Sequence, residues 1–449
     1  MARKPSAKYI CTNCGHMTIS WSGRCPECGE WNTLEEQLSS SNLNEIISGG
    51  NFLRPKSVSM AVKSDSKRLL ANIKEIDDVF GGGIVTGSIS LLAGQPGIGK
   101  STLLLQLAYE VASKNSVLYV SAEESEHQVG LRAKRLGTLR NDLQLATSNS
   151  ADDIAATISQ GKFALVIVDS IQAIACSAIS SSAGSVSQIT NSSQLISTAA
   201  KQSNTAVIVV GHVTKEGAIA GPKVLEHSVD VVLQLEGDRY GGFKLLRAVK
   251  NRFGSTNEAG IFEMVEQGLK PVDNPSASLL AERQISDGSV VLATLEGTRP
   301  LLVEVQALVN KTSYGYPKRA SSGFDLNRLN LLIAMLEKRT KLRLAEHDIY
   351  INIVGGIQIH DPAADLAICM AIGSAAKNLQ LKRNSAIFGE VGLSGEIRHV
   401  PYIEKRISEA KKLGFDGVIG PKIRTGKKIA GLNGVSDVRS ALNLFLEKE

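Results

Sequence analysis

No uninterrupted apolar stretch of membrane-spanning length occurs among the 449 residues, so no transmembrane helix is expected. The opening segment, Met1 to Lys8, lacks the apolar core of a secretory signal and leads straight to a cysteine pair. The chain is therefore expected in the cytoplasm, where thiols stay reduced. No short-period repeat recurs, which excludes a solenoid. Aromatic residues are scarce at 4%, and the net charge is only +6. A charge that mild permits nucleic-acid binding without requiring it. What the chain does have is length and an ordinary hydrophobic share of 43%, which together imply two or three domains.

Four of the six cysteines lie in the first 28 residues, as Cys11-x-x-Cys14 and Cys25-x-x-Cys28, each pair followed by a glycine. The glycine relieves a tight turn while both sulfurs of a pair point at one ion. Four thiolates suit tetrahedral Zn²⁺, and a segment this small could hardly hold a fold without it. Two disulfides or an iron–sulfur centre are the alternatives. Residues 1–38 are thus expected to form a zinc ribbon with a structural metal. Residues 39–68, rich in serine, glycine and charge, read as a linker.

Residues 94–101 read Gly94-Gln95-Pro96-Gly97-Ile98-Gly99-Lys100-Ser101, a complete G-x-x-x-x-G-K-[ST] phosphate loop. An apolar run at 88–93 precedes it, and a helical run beginning with Thr102 follows. In that setting Gly94, Gly97 and Gly99 let backbone N–H groups curl around phosphate oxygens. Lys100 would reach the β- and γ-phosphates, Ser101 would ligate Mg²⁺, and the helix N-terminus adds partial positive charge. ATP is the expected ligand. Apolar runs at 116–121, 164–169 and 206–211 alternate with helical patterns at 126–136 and 192–202. That alternation predicts a doubly wound, mostly parallel α/β sheet over 69–273. The serine-rich stretch 177–193 reads as a mobile loop. From 274 to 449, β-like runs (289–295, 301–308, 349–354) mix with helical ones (328–340, 363–376, 403–413) in a separate α+β domain.

The apolar run 163–169 ends in Asp169, which after a phosphate loop reads as the second Mg²⁺ holder, opposite Ser101. The run 119–125 carries Glu123 and Glu124, one of which would orient the attacking water. Glu123 is the first choice and Glu124 the reserve. His212 or Thr214, at the end of the next strand, could sense the γ-phosphate and signal to the loop 215–223. In Lys250-Asn251-Arg252-Phe253-Gly254, alternation puts Lys250 and Arg252 on one face. They could be supplied to a neighbouring subunit's γ-phosphate, as an arginine finger is.

Together these residues resemble the RecA-like ATPases and, more closely, the bacterial RadA (Sms) family of recombination proteins. The resemblance covers nearly the whole chain. It rests on the two cysteine pairs, the phosphate loop, the run from Lys250 to Gly254, and a C-terminal part similar to the Lon protease domain. It implies hexameric rings with ATP sites between subunits, so that Lys250 and Arg252 act in trans. It further implies binding of single-stranded and branched DNA, DNA-dependent ATP hydrolysis, and helicase-driven branch migration alongside the RecA recombinase. An ATP-gated scaffold that does not translocate is the alternative. The loops 177–193 and 215–223 stand where RecA-like proteins carry central-channel DNA loops.

Lon proteases use a Ser–Lys dyad. Here, within His360-Asp361-Pro362-Ala363-Ala364-Asp365, Ala363 stands in the serine's place, and Glu404, with Lys405 beside it, stands in the lysine's. The domain is expected to be proteolytically inactive, serving as an assembly scaffold and a DNA-binding surface. Three basic clusters support the latter: Lys311, Lys318 and Arg319 around Tyr314 and Tyr316; Lys405, Arg406, Lys411 and Lys412; and Lys422, Arg424, Lys427 and Lys428. Such cations would contact phosphates, and the tyrosines would stack on bases.

Overall fold

Three short strands, β1 (Lys8–Cys11), β2 (Met17–Thr18) and β3 (Leu34–Gln37), pair antiparallel in the order β2-β1-β3. Their core is little more than Cys11, Cys25 and Leu34, far too small to stabilise a fold by burial alone. The computed structural model describes residues 8–37, 57, 68–212, 224–237, 242–313, 315–423 and 429–447. The chain divides into two units, residues 1–65 and 66–449. Most of the expected linker lies outside the described residues.

The second unit opens with α1 (Lys74–Val79) and then alternates strand and helix. β4 (Ile89–Gly94) leads to α2 (Lys100–Val111), and β5 (Val117–Ser121) to α3 (Glu126–Leu136). β6 (Leu143–Thr147), α4 (Ala151–Gln160), β7 (Leu165–Asp169), α5 (Val186–Ser203) and β8 (Ala206–His212) follow. A short α6 (Val224–Ser228) precedes four strands: β9 (Val231–Gly237), β10 (Phe243–Asn251), β11 (Ala259–Val265) and β12 (Gly268–Pro271). They form one nine-stranded sheet in the order β12-β11-β10-β9-β4-β8-β7-β5-β6. The six strands from β9 to β6 are parallel, and β9 to β12 form an antiparallel meander.

The central strands are buried on both faces, which is why they read as unbroken apolar runs. Leu92 faces one apolar cluster with Leu103 and Leu104 of α2, while Leu91 faces the opposite one with Ile189 and Ile196 of α5. Two features depart from the sequence expectation. Helix α5 begins at Val186, capped by Ser185, and Ser192 and Ser193 are buried within it, so the serine-rich stretch is not a loop to 193. Its first part is also organised. The Gln188 side chain accepts from Cys176 N and donates to the carbonyls of Cys176, Ile179 and Ser181. Ser185 is a cap and Ser192 and Ser193 are small packing residues, whereas Ser177 and Ser180 to Ser182 are exposed in the connecting segment. The pair β6–α4 and the meander strands β11 and β12 were not anticipated.

The remaining elements build a second sheet. They are α7 (Pro275–Leu280), β13 (Ser289–Glu296), β14 (Arg299–Lys311), β15 (Arg319–Ser322), α8 (Leu326–Thr340), β16 (His347–Ile353) and α9 (Ala364–Lys377). Next come β17 (Gln380–Leu381), β18 (Ser385–Ile387), β19 (Glu390–Val391), β20 (Ile397–Arg398), α10 (Ile403–Lys412), β21 (Gly417–Pro421), β22 (Leu432–Val435), α11 (Val438–Phe445) and β23 (Leu446–Glu447). Seven of them form a mixed sheet in the order β15-β16-β14-β13-β18-β21-β22. Every residue of α9 from Ala364 to Ser374 is buried, as a helix that is apolar all round must be.

The two sheets touch through the β13–β14 turn. Thr298 N donates to Asn257 O at 2.5 Å, and a Cβ on Gly297 would lie 1.9 Å from that same oxygen. Arg247 of β10 bridges Glu236 and Glu296, at 3.1 Å to each. Among the described residues no helix is long and apolar enough to cross a membrane.

Candidate functional site

The phosphate loop joins the buried β4 to α2, and its glycines are there for clearance. A Cβ on Gly94 would sit 2.7 Å from Leu235 O. Gly99 caps α2 at φ +114°, where a Cβ would also approach Met264 Cε to 2.8 Å. Lys100 is 5% exposed, and its ammonium donates to Gly94 O at 2.9 Å and Gln95 O at 3.0 Å. His212 Nδ1 lies 3.2 Å from the same nitrogen. Burial lowers the Lys100 pKa to about 8, against the pull of Asp169 and Glu123. Lys100, Ser101, Thr102, Glu123, Asp169 and His212 all border one cleft of about 330 Å³, together with Pro96, Gly97 and Gly99. Backbone donors, an ammonium and two oxygen ligands around one cleft match what a triphosphate with a divalent cation requires.

Asp169 ends β7, and its peptide bond to Ser170 is cis. Tyr119 of β5 donates its hydroxyl to Asp169 Oδ2 at 2.6 Å. Of the two candidate acids, Glu123 accepts from the Ser170 hydroxyl, and its Oε1 lies 3.5 Å from His212 Nε2. Glu124 is held by both arms of Arg132, at 2.7 and 2.5 Å. A carboxylate forked to arginine has both of its oxygens engaged. The sequence reading missed Tyr119, Ser170 and Arg132. Arg132 comes from α3, eight residues beyond its partner, and nothing in the acidic run points to it.

Lys250 and Arg252 do not reach this cleft. Lys250 Nζ donates to the carbonyls of Glu226, His227 and Val229 at 2.7, 3.3 and 2.7 Å. Partial burial lowers its pKa. Arg252 pairs with Asp230 at 3.2 Å, whose other oxygen accepts from Ile89 N. Both cations therefore grip the segment 226–230 beside the first residue of β4, whereas the phosphate loop leaves from its last. Five strand steps separate those ends, about 17 Å. Thr214 and the loop 215–223 lie outside the described residues.

In the first unit the sulfurs of Cys11, Cys14, Cys25 and Cys28 all lie within 4.8 Å of one another. The pairs Cys11–Cys28 and Cys14–Cys25 are 3.6 and 3.7 Å apart, and all four cysteines are free. Four thiolates about 2.3 Å from a central zinc stand roughly 3.8 Å apart, so the donor set fits that ion. Gly15 and Gly29, at φ +76° and +75°, supply the turns behind each pair.

Around the second sheet an opening of about 1290 Å³ is lined by Arg398, Tyr402, Glu404, Lys405 and Lys422, and the polar pair Asp361 and Arg406 is not part of its lining. Ala363 is fully buried at the start of α9. Beside it Asp361 accepts from Thr294 Oγ1, Leu295 N and Ala363 N, and pairs with Arg406 at 2.8 Å. Lys405 donates to Thr298 O at 3.1 Å and lies over the Tyr402 ring. Arg406 was expected on a basic surface, but it is fully buried, because Asp361 and the Ala293 and Pro401 carbonyls hold it inside. Glu404 and Lys422 are exposed, and Lys412 pairs with Glu409 at 3.7 Å. Lys311 and Tyr316 are exposed as well, whereas Tyr314, Arg424, Lys427 and Lys428 lie outside the described residues.

Three family models match the chain: an AAA domain over 55–218, a rubredoxin metal-binding domain over 9–36, and subunit ChlI of Mg-chelatase over 330–423. The chain is similar to "DNA repair protein RadA" of Halalkalibacterium halodurans, with 44% identity covering 99% of this chain and 100% of that one. It is also similar to the protein of the same name from Aquifex aeolicus, 44% identical over 93% of this chain and 94% of that one. A crystal structure of the RadB recombinase is 24% identical over 46% of this chain and all of its own, with a TM-score of 0.38, a likeness too loose to carry an inference.

Proposed function

Because the chain belongs to the DNA repair protein RadA family, we propose that it is a DNA-dependent ATPase that assembles into a hexameric ring. On this reading it binds single-stranded and branched DNA and drives branch migration of recombination intermediates with the RecA recombinase. The observation that carries it is the convergence of Lys100, Ser101, Glu123 and Asp169 on one cleft. Lys100 and the loop N–H groups hold the β- and γ-phosphates. Ser101 and Asp169 hold Mg²⁺, which when bound neutralises charge between those phosphates. Glu123 takes the water proton, and its contacts to Ser170 and His212 fix where it points. His212, between Lys100 and Glu123, is placed to register phosphate at the loop. Lys250 and Arg252 act on a neighbouring subunit's phosphates, exchanging for them the contacts to residues 226–230 that they hold within their own chain. The four cysteines hold a structural Zn²⁺. Proteolysis is no part of the activity: Ala363 offers no nucleophile, and Lys405 is occupied by a backbone carbonyl.

Steady-state ATP turnover with and without single-stranded DNA, read alongside mass by light scattering, tests this directly. Turnover stimulated by DNA in a particle of six chains is the expected outcome, with unwinding of a forked duplex lost in Lys100→Ala. Turnover indifferent to DNA in a monomer refutes the motor. DNA-stimulated turnover with no unwinding favours an ATP-gated scaffold instead.

A further inference from the structure

We infer that Asp230 is a positioning residue for Arg252: it holds the guanidinium outward for a neighbouring subunit's ATP phosphates, until those phosphates take it over. This rests on reading the ATP site as one shared between subunits. Arg252 is the exposed member of the pair, its side chain 56% open to solvent against 8% for Asp230. A long exposed side chain samples many rotamers, and ordering it at the moment of binding is costly. Asp230 removes much of that cost beforehand, because its Oδ1 accepts from Arg252 Nη1 at 3.2 Å.

The support is rigid because the carboxylate is itself tied to the sheet. Asp230 Oδ2 accepts from Ile89 N at 3.1 Å, and Ile89 O accepts from Asp230 N at 2.9 Å. Arg252 N in turn donates to Asp230 O at 3.1 Å. Backbone and side chain of the arginine thus both lean on one residue, and that residue leans on the first residue of β4. The guanidinium is nevertheless not used up. Among the described residues its Nε and Nη2 meet no acceptor, and these two nitrogens share the edge that forks onto two phosphate oxygens. A phosphate can therefore dock on the free edge first. The bond it then displaces is a single contact at an exposed guanidinium, weak enough to be exchanged.

The test uses the full chain, with turnover measured at saturating ATP and single-stranded DNA. Asp230→Asn keeps an oxygen for Ile89 N and removes the charge that holds Arg252. Turnover is expected to fall about fivefold to tenfold, the scale of ordering one long side chain, while a fluorescent non-hydrolysable ATP analogue binds within about twofold of wild type. Rescue in trans separates positioning from a merely structural role. Asp230→Asn subunits exchanged with Lys100→Ala subunits should recover the wild-type rate at roughly a quarter of the sites, because a Lys100→Ala neighbour supplies a correctly held Arg252. Asp230→Glu keeps the charge but displaces the carboxylate by a methylene. It should lose less and be rescued in the same way, and it carries the test should Asp230→Asn fail to fold. Wild-type turnover in both variants overturns the inference. So does a loss that the exchanged neighbour cannot rescue, which would mean that Asp230 serves its own phosphate loop through Ile89. If Arg252→Ala is not rescued by Lys100→Ala either, the shared site itself is refuted, and the two failures are thereby told apart.

Discussion

The nucleotide cleft and the Asp361–Arg406 centre are built from similar parts and differ in where those parts point. In the first, Lys100, Glu123 and Asp169 border open volume at the end of a parallel sheet. In the second, Asp361 spends its oxygens on Thr294, Leu295, Ala363 and Arg406, and Arg406 is fully buried. Charges with their partners already in place hold a fold together, while charges facing a cleft are available for a ligand. A polar cluster in a familiar sequence position is therefore not yet a site. What decides is whether its charged atoms border open volume.

The sharpest way to break that contrast is to exchange charges for neutral groups at both places. Glu123→Gln should lower ATP turnover on the order of 10³-fold with melting unchanged, whereas Glu124→Gln, already forked to Arg132, should lower it less than about tenfold. Equal losses from the two would erase the distinction drawn between them. At the closed centre the effect falls on stability instead. Asp361→Ala leaves the Arg406 guanidinium buried without its partner and should cost about 3–5 kcal/mol in denaturant unfolding. Turnover per folded molecule should hold, and a joint Asp361→Ala, Arg406→Met change should recover part of the loss.

A smaller effect tests the joint between the two sheets. Glu296 is raised from an ordinary 4.5 to about 7, because burial outweighs an Arg247 guanidinium that it shares with Glu236. The folded chain thus holds a proton there, between those values, that the unfolded chain has released. Stability should fall as pH rises across that window, with a slope approaching ~1.4 kcal/mol per pH unit. Glu296→Gln should remove the slope in melts from pH 5 to 8. The smallest expected effect is none at all: Ala363→Ser should give no casein cleavage, since the position is fully buried and Lys405 is bonded elsewhere.

How legible each region was follows from how local its signal is. The phosphate loop and each cysteine pair sit in short runs whose spacing carries the chemistry, and Asp169 becomes legible once the loop is found. The sequence ranked Glu123 ahead of Glu124 but held no sign of how their surroundings differ, because Arg132 engages Glu124 from the next helix. Arg406 read as one of a row of surface cations. Its burial depends on Asp361, which approaches from another part of the chain. The serine-rich stretch misled for a different reason. Ser185 is a cap and Ser192 and Ser193 are packing residues, and composition cannot tell those uses from a loop. For Lys250 and Arg252 the sequence supplied the pair, and the strand register supplied their distance from their own phosphate loop.

That distance is the centre of the account, and mixing two inactive chains tests it. Lys100→Ala keeps the cations and loses the loop, while Arg252→Ala keeps the loop and loses a cation. If neighbours complete each site, each variant alone should be inactive, and an equal mixture that exchanges subunits should regain ATP turnover at roughly a quarter of its sites, the share expected for random head-to-tail neighbours. A mixture of exchanged subunits as inactive as its parts would contradict a shared site.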